Sequence, residues 1–147
     1  MNELQKQKKS SQLDNWFISK ENMANKWIDL KRDQKNLKIK QGEIYLCELG
    51  ENIGYEICKA RPVLIVSETR YSQQGQAVIV PLTKNIRPQK THYILKRNNY
   101  DFLTFDSCVK TEQIRSIASI RLIHKLGEIT DEDFCRVKNR LRTLFSV

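Results

Sequence analysis

Two apolar runs decide the fold of this chain: Pro62-Val63-Leu64-Ile65-Val66-Ser67 and Ala77-Val78-Ile79-Val80-Pro81-Leu82. Both are short, rich in β-branched side chains and flanked by polar or turn-forming residues, so each reads as a buried strand. A turn around Gly75, within Gln73–Gln76, separates them. Working outward, Glu43–Leu49 and Thr91–Lys96 are two further apolar-rich segments. Polar loops set them off, Gly50–Lys59 on one side and Asn85–Gln89 with Pro88 on the other. Cys108–Ile117 alternates from side to side and reads as a fourth strand-like run, with Lys110 and Glu112 on one face and Val109 and Thr111 on the other. The chain then ends in a helix. Thr130 and Asp133 make a capping pair, Asp131 and Glu132 suit a first helical turn, and Phe134, Val137, Leu141 and Leu144 form an apolar stripe. Several short strands closed by one helix predict a mainly β fold, a small and mostly antiparallel barrel-like sheet with a C-terminal helix.

Before Gly42 the chain changes character. All five glycines and all three prolines lie after residue 41, while both tryptophans, Trp16 and Trp27, lie before it. Residues 1–41 carry 10 Lys/Arg against 5 Asp/Glu, and residues 42–147 carry 16 against 12. These shifts divide the chain into a basic helical extension over 1–41 and a domain over 42–147. At the helical period, Leu13, Trp16, Phe17, Met23, Ala24, Trp27, Ile28 and Leu30 fall in one arc. An isolated helix of this length is marginal in water, so the stripe calls for a cover, either the body of its own chain or a sister subunit. The competing reading is an arm that contacts RNA or a partner protein, with the Trp rings for stacking and the lysines for phosphates. A membrane-surface role fits less well, because the polar face carries acids as well as lysines. Residues 1–10 are polar and read as a frayed end.

Composition bounds the function. The 147 residues (17.4 kDa) are 39% hydrophobic, enough for one core. The net charge of +9 suggests a polyanionic partner or simply a basic surface. No apolar run reaches the length of a membrane span, and the first residues lack the apolar centre of a secretory signal. Cys47, Cys58, Cys108 and Cys135 form no Cys-x-x-Cys pair, and His92 and His124 complete no zinc spacing. The four read as reduced thiols, most of them buried, in a cytoplasmic protein without a metal site. Gly-rich phosphate loops, Gly-x-Ser-x-Gly elbows and His-Glu-x-x-His helices are all missing.

What remains is a set of polar residues at strand ends. Arg61 precedes one apolar strand, Thr83 follows the other, Glu56 and Lys59 sit in the loop before Arg61, and Glu112, Gln113 and Arg115 lie in the fourth run. A polar group at the mouth of a buried strand is held rigidly with its tip near solvent, which suits a site.

In order along the chain stand Gly42-Glu43-Ile44-Tyr45, Gly54-Tyr55-Glu56, Arg61-Pro62-Val63, Val80-Pro81-Leu82-Thr83, Glu112-Gln113-Ile114-Arg115-Ser116-Ile117 and Leu126-Gly127-Glu128-Ile129. This ordered set resembles the MazF/PemK (Kid) family over residues 40–147 and leaves the extension outside. The resemblance implies the toxin of a type II toxin–antitoxin pair with an SH3-like barrel. It implies a homodimer that cuts single-stranded RNA without metal or cofactor and is blocked by a cognate acidic antitoxin. It assigns the catalytic arginine to Arg61, the catalytic threonine to Thr83, the loop acid to Glu56, and the acid and amide of the Asp/Glu-Gln motif to Glu112 and Gln113.

The side chains suggest roles. Arg61 stabilises charge on a phosphorane, Thr83 positions the phosphate, and Glu56, or second Glu112, takes the 2′ proton. Lys59, Lys84, Lys110 and Arg115 track the backbone, and Tyr55 either stacks on a base or simply packs. The sequence Cys58-Lys59-Ala60 ahead of Arg61 departs from the family pattern. A reading from another class also stands: a non-catalytic binder on the same barrel, as in CcdB-type poisons of a protein target.

Overall fold

The computed structural model describes residues 1–147. Its centre is a seven-stranded sheet of β1 (Glu43–Glu48), β2 (Ala60–Ile65), β3 (Gln76–Thr83), β4 (His92–Leu95), β5 (Ser107–Lys110), β6 (Arg115–Ala118) and β7 (Leu122–Glu128). The strand order is β4-β5-β3-β2-β1-β7, with β6 also paired to β3, and every pairing is antiparallel. Successive residues of a strand point to opposite faces, and here both faces are covered. Val63 and Ile65 join Cys47, Leu49, Ala77, Ile79, Ile117 and Ile39 on one side. Leu64 joins Ile44, Val80, Leu82, Leu95 and Val109 on the other. There the C-terminal helix α3 (Asp131–Phe145) adds Phe134 and Val137. Burial on both sides is why the two deciding runs read as continuously apolar rather than alternating.

The run Cys108–Ile117 is not one strand. A 3-10 turn, Thr111–Gln113, separates β5 from β6. The register of β3 shifts by three residues between its β6 partners (Gln76↔Ala118 to Ile79↔Arg115) and its β5 partners (Leu82↔Val109, Thr83↔Cys108), which is the length of that turn. Pro81, which has no N–H for a ladder, stands on β3 between the two pairings. The Thr111 hydroxyl donates to the Thr91 carbonyl (2.6 Å) and pins the turn. Lys110 and Glu112 therefore do not share a strand face; Glu112 and Gln113 project from a turn.

The extension also differs from expectation at its start. Helix α1 runs Asn2–Asp29 and includes the polar first ten residues. A one-turn helix α2 (Arg32–Lys35) and an extended stretch lead from it to β1. The apolar stripe of α1 is divided. Trp16, Met23, Trp27 and Leu30 are half-buried against the barrel, whereas Leu13, Phe17 and Ile28 stay exposed. Of the cysteines, Cys47 and Cys108 are buried, Cys58 is half-buried and Cys135 is exposed, so only two of the four pack as core residues.

Candidate active site

Arg61 enters on β2 directly across from Cys47 of β1. The β2–β3 register runs Val63↔Pro81, Leu64↔Val80, Ile65↔Ile79, and two residues further the same register sets Arg61 across from Thr83 on the same face. Both residues line one cavity of about 310 Å³, with Lys84, Asn85, Phe105 and Ser107 at its sides and an apolar wall of Leu46, Pro62 and Leu82. Arg61 is half-buried. Its Nε donates to the Cys58 carbonyl at 3.0 Å, and no carboxylate pairs with it. Burial pushes its guanidinium down from the ordinary value, the Cys58 thiol acting the other way, but an arginine stays charged. The fork thus keeps donors available for an incoming anion. The Thr83 hydroxyl accepts from the Asn85 N–H (3.2 Å), which leaves its own proton to donate. Cys47 is no competing nucleophile, because burial pushes its thiol up to about 12.

The acids sit beside this pair rather than in it. Glu56, Glu112, Gln113 and Arg115 line a second cavity of about 350 Å³, together with Asn52, Ile57 and Pro81. The two cavities share no lining residue and come nearest in sequence on β3, at Pro81 of one and Leu82 and Thr83 of the other. Glu56 is exposed and in no salt bridge. Its carboxylate accepts only the Ile53 N–H, at 2.8 Å.

Glu112 is heavily engaged. It accepts from His92 Nε2 (2.7 Å) and lies 3.9 Å from Lys110 Nζ. Burial pushes its carboxyl up, but hydrogen bonds from His92 and from its own backbone N–H, helped by Lys110, outweigh that and hold it below the usual carboxylate range. The other His92 nitrogen, Nδ1, faces the Arg87 carbonyl at 2.7 Å.

Gln113 grips the β1–β2 loop on both sides of Glu56. Its Nε2 donates to the Tyr55 carbonyl (3.0 Å) and its Oε1 accepts from the Ile57 N–H (3.1 Å). Asn52 ties the same loop internally, donating to Leu49 O and Ile57 O. The Tyr55 ring does not pack; it is 98% exposed at the loop tip. Lys59 closes the loop with a left-handed backbone (φ 70°), its N–H donating to the Gly50 carbonyl at 2.7 Å. Sequence reasoning named ten site residues and the fold divides them. Arg61, Thr83 and Lys84 meet in one cavity, and Glu56, Glu112, Gln113 and Arg115 in its neighbour. Tyr55 and Lys59 lie on the loop between, and Lys110 stands at the end of β5. It missed His92 and Asn52. No spacing signals the first, because the His92–Glu112 contact spans 20 residues; the second lies three residues past Leu49 in the loop.

With this geometry in place, comparison with known proteins gives a consistent answer. Residues 40–145 match the family model of the PemK-like, MazF-like toxin of type II toxin–antitoxin systems. Endoribonuclease EndoA of Bacillus subtilis is 31% identical over 109 residues, covering 71% of this chain and 91% of that protein. Endoribonuclease MazF9 of Mycobacterium tuberculosis is 28% identical over 110 residues, covering 71% and 93%. Among solved structures, a mycobacterial endoribonuclease in complex with its cognate antitoxin superimposes with a TM-score of 0.60 at 26% identity, covering 74% of this chain and 96% of that one. MazF of Deinococcus radiodurans, at 18% identity and a TM-score of 0.66 over 76% and 99% of the two chains, shares the fold. Helix α1 lies outside the matched region. The chain belongs to the PemK-like, MazF-like family of type II toxin–antitoxin toxins.

Proposed function

We propose that this protein is an endoribonuclease toxin that cleaves single-stranded RNA, with Arg61 and Thr83 gripping the scissile phosphate. The observation that carries the reading is the shared cavity of an unpaired, half-buried guanidinium and a hydroxyl with a free proton. In the reaction the ribose 2′-oxygen attacks phosphorus, forming the 2′-O–P bond while the P–O5′ bond breaks. A base takes the 2′ proton, and the departing 5′ oxygen takes a proton from solvent. Arg61 meets the extra negative charge on the phosphorane with a planar fork, and no metal enters the scheme. Thr83 orients the same phosphate. Glu56 is the better base: Glu112 is occupied by His92 and held in its weakly basic form, whereas Glu56 has no cationic partner. Lys84 and Arg115 flank the two cavities as backbone contacts, with Lys59 and Lys110 further along. Gln113 meets RNA only from the amide that already holds the loop, and the free Tyr55 ring serves as a stacking platform.

The proposed working form is a cytoplasmic homodimer restrained by a cognate acidic antitoxin. In EDTA, the purified protein should cut a long single-stranded RNA and leave 2′,3′-cyclic phosphate or 3′-phosphate ends. Arg61→Ala should lower the rate by two orders of magnitude or more with an unchanged unfolding transition. RNA left intact by a protein that still arrests growth on induction would replace this reading with a protein-target poison.

A further inference from the structure

Helix α1 touches the barrel at a telling place. The loop Gly50–Lys59 carries Glu56 and Tyr55, and its Cys58 carbonyl holds Arg61. The loop's neck is the Gly50–Lys59 pair. Lys59 N–H donates to Gly50 O, Leu49 N–H donates to Lys59 O, and both neck residues have positive φ (76° and 70°). The Trp16 ring lies against this neck, so close that a Cβ at Gly50 would stand 2.2 Å from it. Only glycine serves there, for both the backbone conformation and the approach. Arg121 covers the Trp16 ring at 5.6 Å and donates to the Glu48 carbonyl at 3.3 Å, fixing the ring from the barrel side. One residue past the neck, the Glu51 carboxylate, 11% exposed, meets Lys9 Nζ of α1 at 2.7 Å. A carboxylate so nearly buried is costly to leave unpaired.

Further along α1, Trp27 rests over Gly75, but no second ion pair ties the helix to the barrel. Not one of its residues is fully buried. Nor is it a basic arm: Asn2–Asp29 holds five lysines and four acids, and the excess charge of the extension lies in residues 31–41.

We infer that α1 is a brace for the active-site loop: Lys9 and Trp16 are positioning residues that hold Gly50, Glu51 and Lys59, and through them Glu56 and the Cys58 carbonyl behind Arg61. This rests on the assignment of that loop to the RNA-cleaving site. Gln113 secures the loop from the cavity side and α1 secures it from behind.

The test uses the full-length protein in four forms: Lys9→Glu, Glu51→Lys, the double swap K9E/E51K, and Trp16→Ala. Two readouts are taken, amide hydrogen exchange of residues 51–58 and kcat and KM on a single-stranded RNA. Each single charge reversal and Trp16→Ala should speed exchange in 51–58 far more than in the core strands and lower kcat about tenfold, with the unfolding midpoint lowered only slightly. The double swap should restore both. If Lys9 instead held RNA, Lys9→Glu would raise KM without touching exchange, and Glu51→Lys would lower KM; either result overturns the brace. Unchanged exchange in the single variants, or a swap that rescues nothing, also overturns it. Because exchange is read without RNA, failure of the brace is distinguishable from failure of the cleavage reading, which a wild-type protein inert toward RNA would reveal.

Discussion

The two long helices of this protein both place apolar side chains against the barrel, yet they are held in different ways. Helix α3 is part of the core. Phe134 and Val137 are buried in the larger apolar cluster, and Thr130 caps the first turn through the Asp133 N–H at 3.1 Å. The Asp133 carboxylate accepts the hydroxyls of both Tyr93 (2.5 Å) and Tyr100. Helix α1 is nearly twice as long and buries nothing completely; it rests on two tryptophans and one ion pair. Trp27 sits over Gly75, with Lys35 above its ring at 5.2 Å. The length of a helix therefore says little about its share of stability. That share follows the apolar area taken from water and the polar groups satisfied on the way. Substitutions in α3 should be read in the unfolding transition, and substitutions in α1 mainly in the loop Gly50–Lys59.

Phe134→Ala gives the largest separation. It removes a buried ring from the core and should cost about 3–5 kcal/mol in a denaturant titration. A loss under 1 kcal/mol would mean that α3 is as lightly held as α1. Asp133→Ala comes next, because the buried Tyr100 and the half-buried Tyr93 lose their acceptor, for about 2 kcal/mol. Trp27→Ala on α1 removes a half-exposed ring, and its cost should stay near 1 kcal/mol. A loss equal to that of Phe134→Ala would dissolve the contrast.

The smallest effect concerns Glu112, one of the two candidate acids. Glu112 binds its proton more weakly in the folded chain than in the unfolded one. Its contribution is complete above the unfolded carboxyl's range and fades as pH falls through the lower folded value. Glu112→Gln should flatten the acid limb of the stability profile; identical limbs in variant and wild type would show that the His92 contact does not tune this carboxylate.

Much of this was legible in the residues. The strands around Val63–Ile65 and Ala77–Leu82 announce themselves because both faces are buried, and the Thr130–Asp133 cap forms as its spacing suggests. Arg61 and Thr83 sit at the ends of those same strands, so the antiparallel register alone brings them together.

Features that depend on contacts distant in sequence were not legible. Thr111–Gln113 alternates like a strand but turns, because β3 changes partners there and Thr91 fixes the turn. The first ten residues look frayed, yet Lys9 finds Glu51 42 residues away. Gln113 reads as a group for RNA and acts on the loop backbone flanking Glu56. Periodicity reports which face is apolar, and says nothing about which polar group a given amide will reach.

The central claim is that Arg61 and Thr83 act on one phosphate. A double-mutant cycle with Arg61→Ala, Thr83→Val and the pair, followed by single-turnover cleavage of one RNA in EDTA, tests it most directly. Two groups bonded to the same phosphate should be coupled, so the double variant should be little slower than Arg61→Ala alone. Independent effects that multiply in full, or a Thr83→Val enzyme as fast as wild type, would contradict the claim.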